Sequence, residues 1–352
     1  MDHILEALRM EAGEKGVFLP LIRNTEILSE PETLHGFSMK NRKTAMIPAC
    51  FDADENGAPS QETISRYRET AAKLGCAMLL TEPVAVSADA RENVGQLMLT
   101  EATRSAFQAL TAAVKEASEG VVLVMLLDHA GRNALEPVVM EQNSLLSKSA
   151  KTLADADVTP IAAACGQAAK LAEECGFDGI ALNVCNRNLF ADSLAAYHRD
   201  GVFGGDFDDR SRFVRDCYTA MKLTTSRAFL SIRLCVSDGL PQPYGFGMAF
   251  EDESANDLSE SVLLLQILQM LFGVELVFCE VGVKGINWLA KEDAESPVVR
   301  ESRLCTCIGM LDSAMQQNVK LCVPQTEEGF PFAHLAAGMI QGEFATFAGF
   351  RM

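Results

Sequence analysis

The sequence predicts a (β/α)8 barrel, and two observations carry that prediction. From residue 43 onward, eight short apolar or β-branched runs alternate with longer amphipathic stretches, the pattern of parallel strands joined by right-handed helical crossovers. No Gly-x-Gly-x-x-Gly turn follows the first run, which counts against the competing architecture, an open doubly wound sheet with a dinucleotide fingerprint. With 352 residues, 48% of them apolar, the chain can bury a sizeable core. That length suits one large barrel as well as two or three ordinary domains.

The barrel strands are expected at residues 43–48, 77–81, 121–127, 179–184, 229–235, 274–281, 319–324 and 345–350. Ahead of them, residues 1–42 form an extension with two short extended pieces, Phe18-Leu-Pro and Phe37-Ser-Met, expected to make a hairpin that plugs the barrel floor. Residues 43–352 are read as one barrel domain, since no low-complexity linker or internal repeat divides them. The clearest helix signal is 159–176. Thr159 can cap its first N–H groups, Pro160 suits the first helical position, and Gly176 suits the left-handed residue past the end. Residues 258–272, LSESVLLLQILQMLF, are apolar along one side and stop at Gly273, as a helix packed on a sheet does. The acidic run 206–209 reads as a solvated helix start. The sequence ends at Met352, so the pattern lacks the usual eighth helix. An uncovered parallel strand makes a homo-oligomer the expectation.

Composition excludes several classes of function. Asp plus Glu outnumber Lys plus Arg by 48 to 30, a net charge of −18. Such a field repels phosphate backbones and anionic lipid, so no nucleic acid and no membrane partner is expected. No apolar run reaches the roughly 18 residues of a spanning helix, and the N-terminus is acidic where a signal peptide would be basic, so the protein is expected to be cytoplasmic. Eleven scattered cysteines read as buried thiols of a reducing compartment. Neither Cys305-x-Cys307 nor the five dispersed histidines have metal-ligand spacing, so no metal is expected.

In such a barrel, chemistry sits on the loops that follow the strands. The motifs there run Asn41-Arg42, Met46-Ile-Pro-Ala-Cys50, Gly57-x-Pro59, a Tyr67 helix, Leu80-Thr-Glu82, His129-Ala-Gly-Arg132, Gly176-Phe-Asp-Gly179, Arg199, Gly204-Gly205 and Arg210-Ser-Arg-Phe213. Their identity and order closely resemble the old yellow enzyme family, FMN-dependent NAD(P)H:acceptor oxidoreductases on a (β/α)8 barrel. The resemblance implies FMN as cofactor, NAD(P)H as reductant and a small electron-poor acceptor of the carbonyl or enone type. It also implies that Pro48, Ala49 and Cys50 lie beside the flavin ring, that Arg233 faces its N1 and O2 positions, and that Arg351 binds the phosphate. Asn183 and Asn186 stand where the family's substrate-oxygen donors stand, and Asn188 stands where the family has a proton-donating Tyr.

The departures are as specific as the matches. Leu126 replaces the usual Gln, Pro83 replaces a residue with an N–H to give, Pro324-Gln325 replaces a Gly-Gly turn, and Asn188 is not an acid. Asp52 or Tyr197 are alternative proton sources, as is water. These departures define the alternative reading: a diverged barrel with weak or lost flavin binding that acts as a ligand-binding or partner subunit. His129 reads equally as a structural or a ligand-contacting side chain, and the Asn pair as donors to a ligand or as a strand-end turn. Arg233 inside the apolar run SIRLCV requires an anion opposite it.

Overall fold

All eight expected barrel strands are present in the computed structural model, which describes residues 1–146, 150–253, 255–282, 296–316, 318–326 and 329–351. A hairpin of β1 (Glu32–Leu34) and β2 (Phe37–Met39) precedes β3 (Lys43–Met46), β4 (Met78–Ala85) and β5 (Val122–Asp128). A short parallel pair, β6 (Val138–Val139) and β7 (Lys151–Thr152), stands apart. Then β8 (Gly179–Val184), β9 (Phe229–Ser237), β10 (Leu276–Val281), β11 (Lys320–Pro324) and β12 (Phe347–Arg351) complete the ring. Every barrel ladder is parallel, and β12 closes on β3 with Gly349 opposite Thr44. Both faces of these strands are covered, so β5 reads VLVMLLD and is buried throughout, as parallel strands must be.

Helix α1 (Asp2–Glu14) lies in the extension. The crossovers carry α2 (Gln61–Leu74), α3 (Arg104–Ala117), α4 (Asp155–Glu174), α5 (Leu189–Leu194) with α6 (Phe207–Thr224), α7 (Ser259–Phe272), α8 (Pro297–Met315) and α9 (Phe332–Gln341). Gly273 ends α7 at φ +71, and Asp206 caps α6 by accepting from the Asp209 N–H at 3.1 Å, both as expected. Two local expectations are corrected. Helix α4 starts four residues ahead of Thr159, because the Asp157 carboxylate accepts from the Ala154 N–H at 3.1 Å and fixes an earlier first turn. Pro160 therefore lies inside the helix, early enough to cost only one hydrogen bond. The strand that pairs with Phe37–Met39 is Glu32–Leu34, turning through His35-Gly36 at φ +47 and +82.

In that hairpin Leu34 and Met39 are 1% exposed and join the inner apolar cluster. Phe18 is instead solvent-exposed in a non-regular stretch, and Leu19 and Leu21 are buried beside it. That stretch rests on α9 because Gly338 has no side chain: a Cβ there would meet the Pro20 carbonyl oxygen at 1.4 Å.

Strand periodicity sets what the barrel holds. Val122, Val124 and Leu126 on β5, Ala181 on β8, Phe229 on β9, Leu276 and Phe278 on β10, Cys322 on β11 and Phe347 on β12 fill the interior. A fully buried residue of this kind stabilises the fold by roughly 1.5–3 kcal/mol. Because side chains alternate with period two, continuing each strand toward its C-terminal end puts Asp128, Asn183, Arg233, Glu280 and Arg351 on the same inner face. A polar crown thus caps an apolar barrel at the end where barrel chemistry resides.

Candidate active site

Two carboxylates organise the crown. Glu280 Oε1 accepts from Arg233 Nη2 at 2.5 Å and Nε at 3.1 Å, and lies 3.7 Å from Arg351 Nη2. Burial alone would drive Arg233 toward neutrality, but Glu280 more than offsets it, so the pKa is raised and the guanidinium stays charged. Arg351 reaches the same carboxylate from β12 with its side chain half exposed, and its backbone N–H donates to Gln325 Oε1 at 3.3 Å. Guanidinium groups from the fifth and eighth barrel strands therefore share one environment. The anion that Arg233 requires is Glu280, two residues beyond the inward Phe278.

Asp128 is the second organiser. Its Oδ1 accepts from Asn183 Nδ2 at 2.8 Å and Asn188 Nδ2 at 2.7 Å. Burial raises the Asp128 pKa, against these donors and the charge of Arg233. Asn188 also donates to the Asn183 carbonyl at 2.5 Å, and its Oδ1 caps α5 by accepting from the Ala191 N–H at 2.9 Å. Both amide protons and the oxygen of Asn188 are spent. Asn183 has used one of its two N–H donors, and its buried Oδ1 has no partner among the described residues. Asn186 is exposed on the loop above, at φ +54.

Pro48, Ala49 and Cys50 leave β3 as an exposed lip beside this crown. Ten of the eleven cysteines are buried as expected, and Cys50 is the exposed one. Its N–H donates to Glu82 Oε2 at 3.1 Å, while Glu82 Oε1 accepts from Arg66 at 2.8 Å and Tyr67 at 3.3 Å. Partial desolvation, reinforced by Glu82 and Asp52 against Arg66, raises the Cys50 pKa and keeps the thiol protonated. Asp52 is held by Arg66 at 2.9 Å, and the Tyr197 hydroxyl lies 3.4 Å from Glu260. Burial pushes that phenol up to about 12. Neither side chain is free to serve as an acid.

The His129-Ala-Gly-Arg132 segment stitches the loops after β5 and β8 together. His129 Nδ1 accepts from the Gly131 N–H at 3.2 Å, and its carbonyl accepts from the Leu189 N–H at 3.0 Å. Burial lowers the His129 pKa to about 4, so the ring is neutral with its proton on Nε2, which has no partner among the described residues. Gly131, at φ +60, passes so close to the α5 start that a Cβ would meet Leu189 N at 2.5 Å. Arg132 and Arg187 both reach Asp192, at 3.1 and 3.4 Å, and Arg187 continues to Asp238 at 3.2 Å. This buried network fixes three mouth loops. At the seventh strand, Thr326 donates to Glu301 Oε1, and burial raises the Glu301 pKa to about 7.

The crown thus offers two converging cations, an unspent Asn183 donor and an exposed lip. Such a set fits a planar, polar-edged ring bearing an anionic tail. Among described residues, no cluster of metal-ligating side chains competes with that use.

The comparisons with known proteins agree with the geometry. Residues 28–253 match the NADH:flavin oxidoreductase / NADH oxidase family. The chain belongs to this family of FMN-dependent oxidoreductases that draw on NAD(P)H. A Geobacillus NADPH dehydrogenase is 22% identical over 310 residues, covering 82% of this chain and 85% of the relative. A Clostridium acetobutylicum NADPH dehydrogenase is 26% identical over 206 residues, covering 55% of this chain and 59% of the relative. Among solved structures, a 2-naphthoyl-CoA reductase complex superposes with TM-score 0.77 at 16% identity, over 93% of this chain and 50% of that one. Morphinone reductase with tetrahydroNAD superposes with TM-score 0.69 at 17% identity, over 92% and 86% of the two chains. At these identities the structural likeness establishes the fold. Among described residues, no helix is long and apolar enough to cross a membrane.

Proposed function

We propose that this chain takes reducing equivalents from NAD(P)H through FMN and delivers them to a small electron-poor carbonyl or enone-like acceptor at the mouth of the barrel. The observation that carries this reading is the convergence of Arg233 and Arg351 on one point of the crown. In it, Arg233 faces the pyrimidine edge of the flavin, Arg351 faces the phosphate, and Pro48, Ala49 and Cys50 form the lip against the ring. FMN supplies the hydride chemistry when bound.

The chain's own residues bind and orient. Arg233, kept charged, favours negative charge on the facing ring edge. Asn183, anchored by Asp128 through one N–H, has a second N–H for a substrate oxygen, and Asn186, exposed on the loop above, is assigned the second donor. Asn188 acts as a positioning residue that holds Asp128 and the Asn183 backbone. With Asp52 and Tyr197 committed elsewhere, water provides the proton to the substrate carbon. The unpaired cysteines suit the cytoplasm.

The test is spectroscopic. Supplied with FMN, the purified protein is expected to show bound-flavin absorption, to bleach with NADPH or NADH without air, and to recover its colour when an enone is added. Colourless protein that takes up no added FMN would overturn the reading. That outcome would favour a diverged ligand-binding or partner subunit, toward which Pro83, Leu126 and the Glu280 carboxylate point.

A further inference from the structure

The anion facing Arg233 comes from the protein itself, and it sits where the proposed cofactor would deliver its own negative charge. We propose that Glu280 is a built-in counter-anion that competes with FMN for Arg233 and Arg351, so that this chain holds FMN as a loosely bound, exchangeable cofactor. The inference rests on the flavin site proposed above and adds to it how the site is regulated by charge.

Three observations carry it. First, the pair is intimate: Glu280 Oε1 takes both Nη2 and Nε of Arg233, at 2.5 and 3.1 Å, and both side chains are about nine-tenths buried. Second, the same oxygen is within 3.7 Å of Arg351, so one carboxylate faces both cations. Third, three backbone positions at the ends of β11 and β12 have no N–H to offer the cofactor. Pro324 has no N–H, the Gln325 N–H donates to the Gly349 carbonyl at 2.8 Å, and the Arg351 N–H donates to Gln325 Oε1.

A buried ion pair resists separation because removing one partner leaves the other charge uncompensated. An incoming anion must therefore displace Glu280 from the guanidinium groups or share them with it. Either way, the cost is subtracted from its affinity, as for any ligand whose competent state is not the resting one. The carboxylate also opposes negative charge on the ring more strongly after reduction than before. Neutralising Glu280 is thus expected to favour the bound cofactor in both redox states, and the reduced state more.

The experiment compares wild type, Glu280→Gln and Glu280→Ser by titrating FMN against full-length protein and reading flavin fluorescence. Circular dichroism and thermal melting establish that each variant is folded. The surface variant Glu69→Gln, on the exposed side of α2, controls for a general loss of negative charge. Glu280→Gln is expected to bind FMN at least tenfold more tightly, a change of about 1.4 kcal/mol, and to keep it through desalting when wild type does not. The midpoint potential of its FMN is expected to rise. Equal or weaker FMN binding by folded Glu280→Gln and Glu280→Ser, with wild type binding FMN, overturns the inference and leaves the flavin reading standing. FMN binding by none of the proteins overturns both. A gain of similar size in Glu69→Gln overturns the assignment to Glu280.

Discussion

Glu301 shows how a single side chain at the mouth sets a pH dependence. It is 1% exposed in the first turns of α8, and its Oε2 has no partner among described residues. Burial raises its pKa from the ordinary 4.5 to about 7, against the Thr326 hydrogen bond and the nearby Arg300 and Arg351 charges. The folded chain therefore binds this proton more tightly than the unfolded chain. For a raised carboxyl, stability is full below the unfolded value and is lost as pH rises toward the folded one. Wild type is expected to lose up to about 3 kcal/mol from this group between pH 4.5 and 7. Glu301→Gln, which mimics the protonated form, is expected to match wild type near pH 4 and to exceed it by a similar amount at pH 8. Urea unfolding at the two pH values checks this, and parallel pH profiles for the two proteins would refute it.

At the scale of elements, the contact between the N-terminal extension and α9 is the sharpest steric dependence among the described glycines. Residues 17–22 cross α9 at Gly338, with the Ile22 N–H donating to the His334 carbonyl at 3.2 Å and Leu19 and Leu21 buried beneath. A methyl group at Gly338 cannot coexist with the Pro20 carbonyl at 1.4 Å, so either the helix or the segment must move. The segment is the weaker partner, because it has no regular structure of its own and carries an exposed Phe18. Gly338→Ala is expected to raise the rate of proteolytic cleavage within residues 17–22 at least tenfold, about 1.4 kcal/mol of local opening, while the barrel still melts cooperatively. Unchanged cleavage would place the strain in α9 instead. The sequence did not disclose this contact. Phe18-Leu-Pro looked like half a hairpin because extended apolar pieces signal strands, yet its partner surface is a helix 320 residues further on.

For the whole molecule, legibility follows the range of the forces involved. All eight barrel strands could be read because burial on both faces leaves runs such as VLVMLLD that local composition reveals. Arg233 could be read as a buried cation needing an anion, but Glu280 could not be named from sequence alone, since their pairing depends on the alignment of two strands. Asp128 was hidden for the same reason: its two amide donors come from β8 and the loop after it. The net charge of −18 acts over the longest range, and it opposes the local cations. At about 10 mM salt the Debye length is near 30 Å, enough for the whole acidic surface to repel an approaching phosphate; at 150 mM it is about 8 Å, and only the mouth is felt. There, Arg233 and Arg351 face the Glu280 and Asp128 carboxylates, so the local charges nearly balance and the surrounding acid sets the salt dependence of the approach. Raising KCl from 10 to 150 mM is therefore expected to speed FMN association severalfold, the reverse of ordinary steering toward a basic cleft. Stopped-flow quenching of flavin fluorescence measures it. A rate that falls with salt would mean that the Arg233 and Arg351 field dominates the approach despite the surrounding acid.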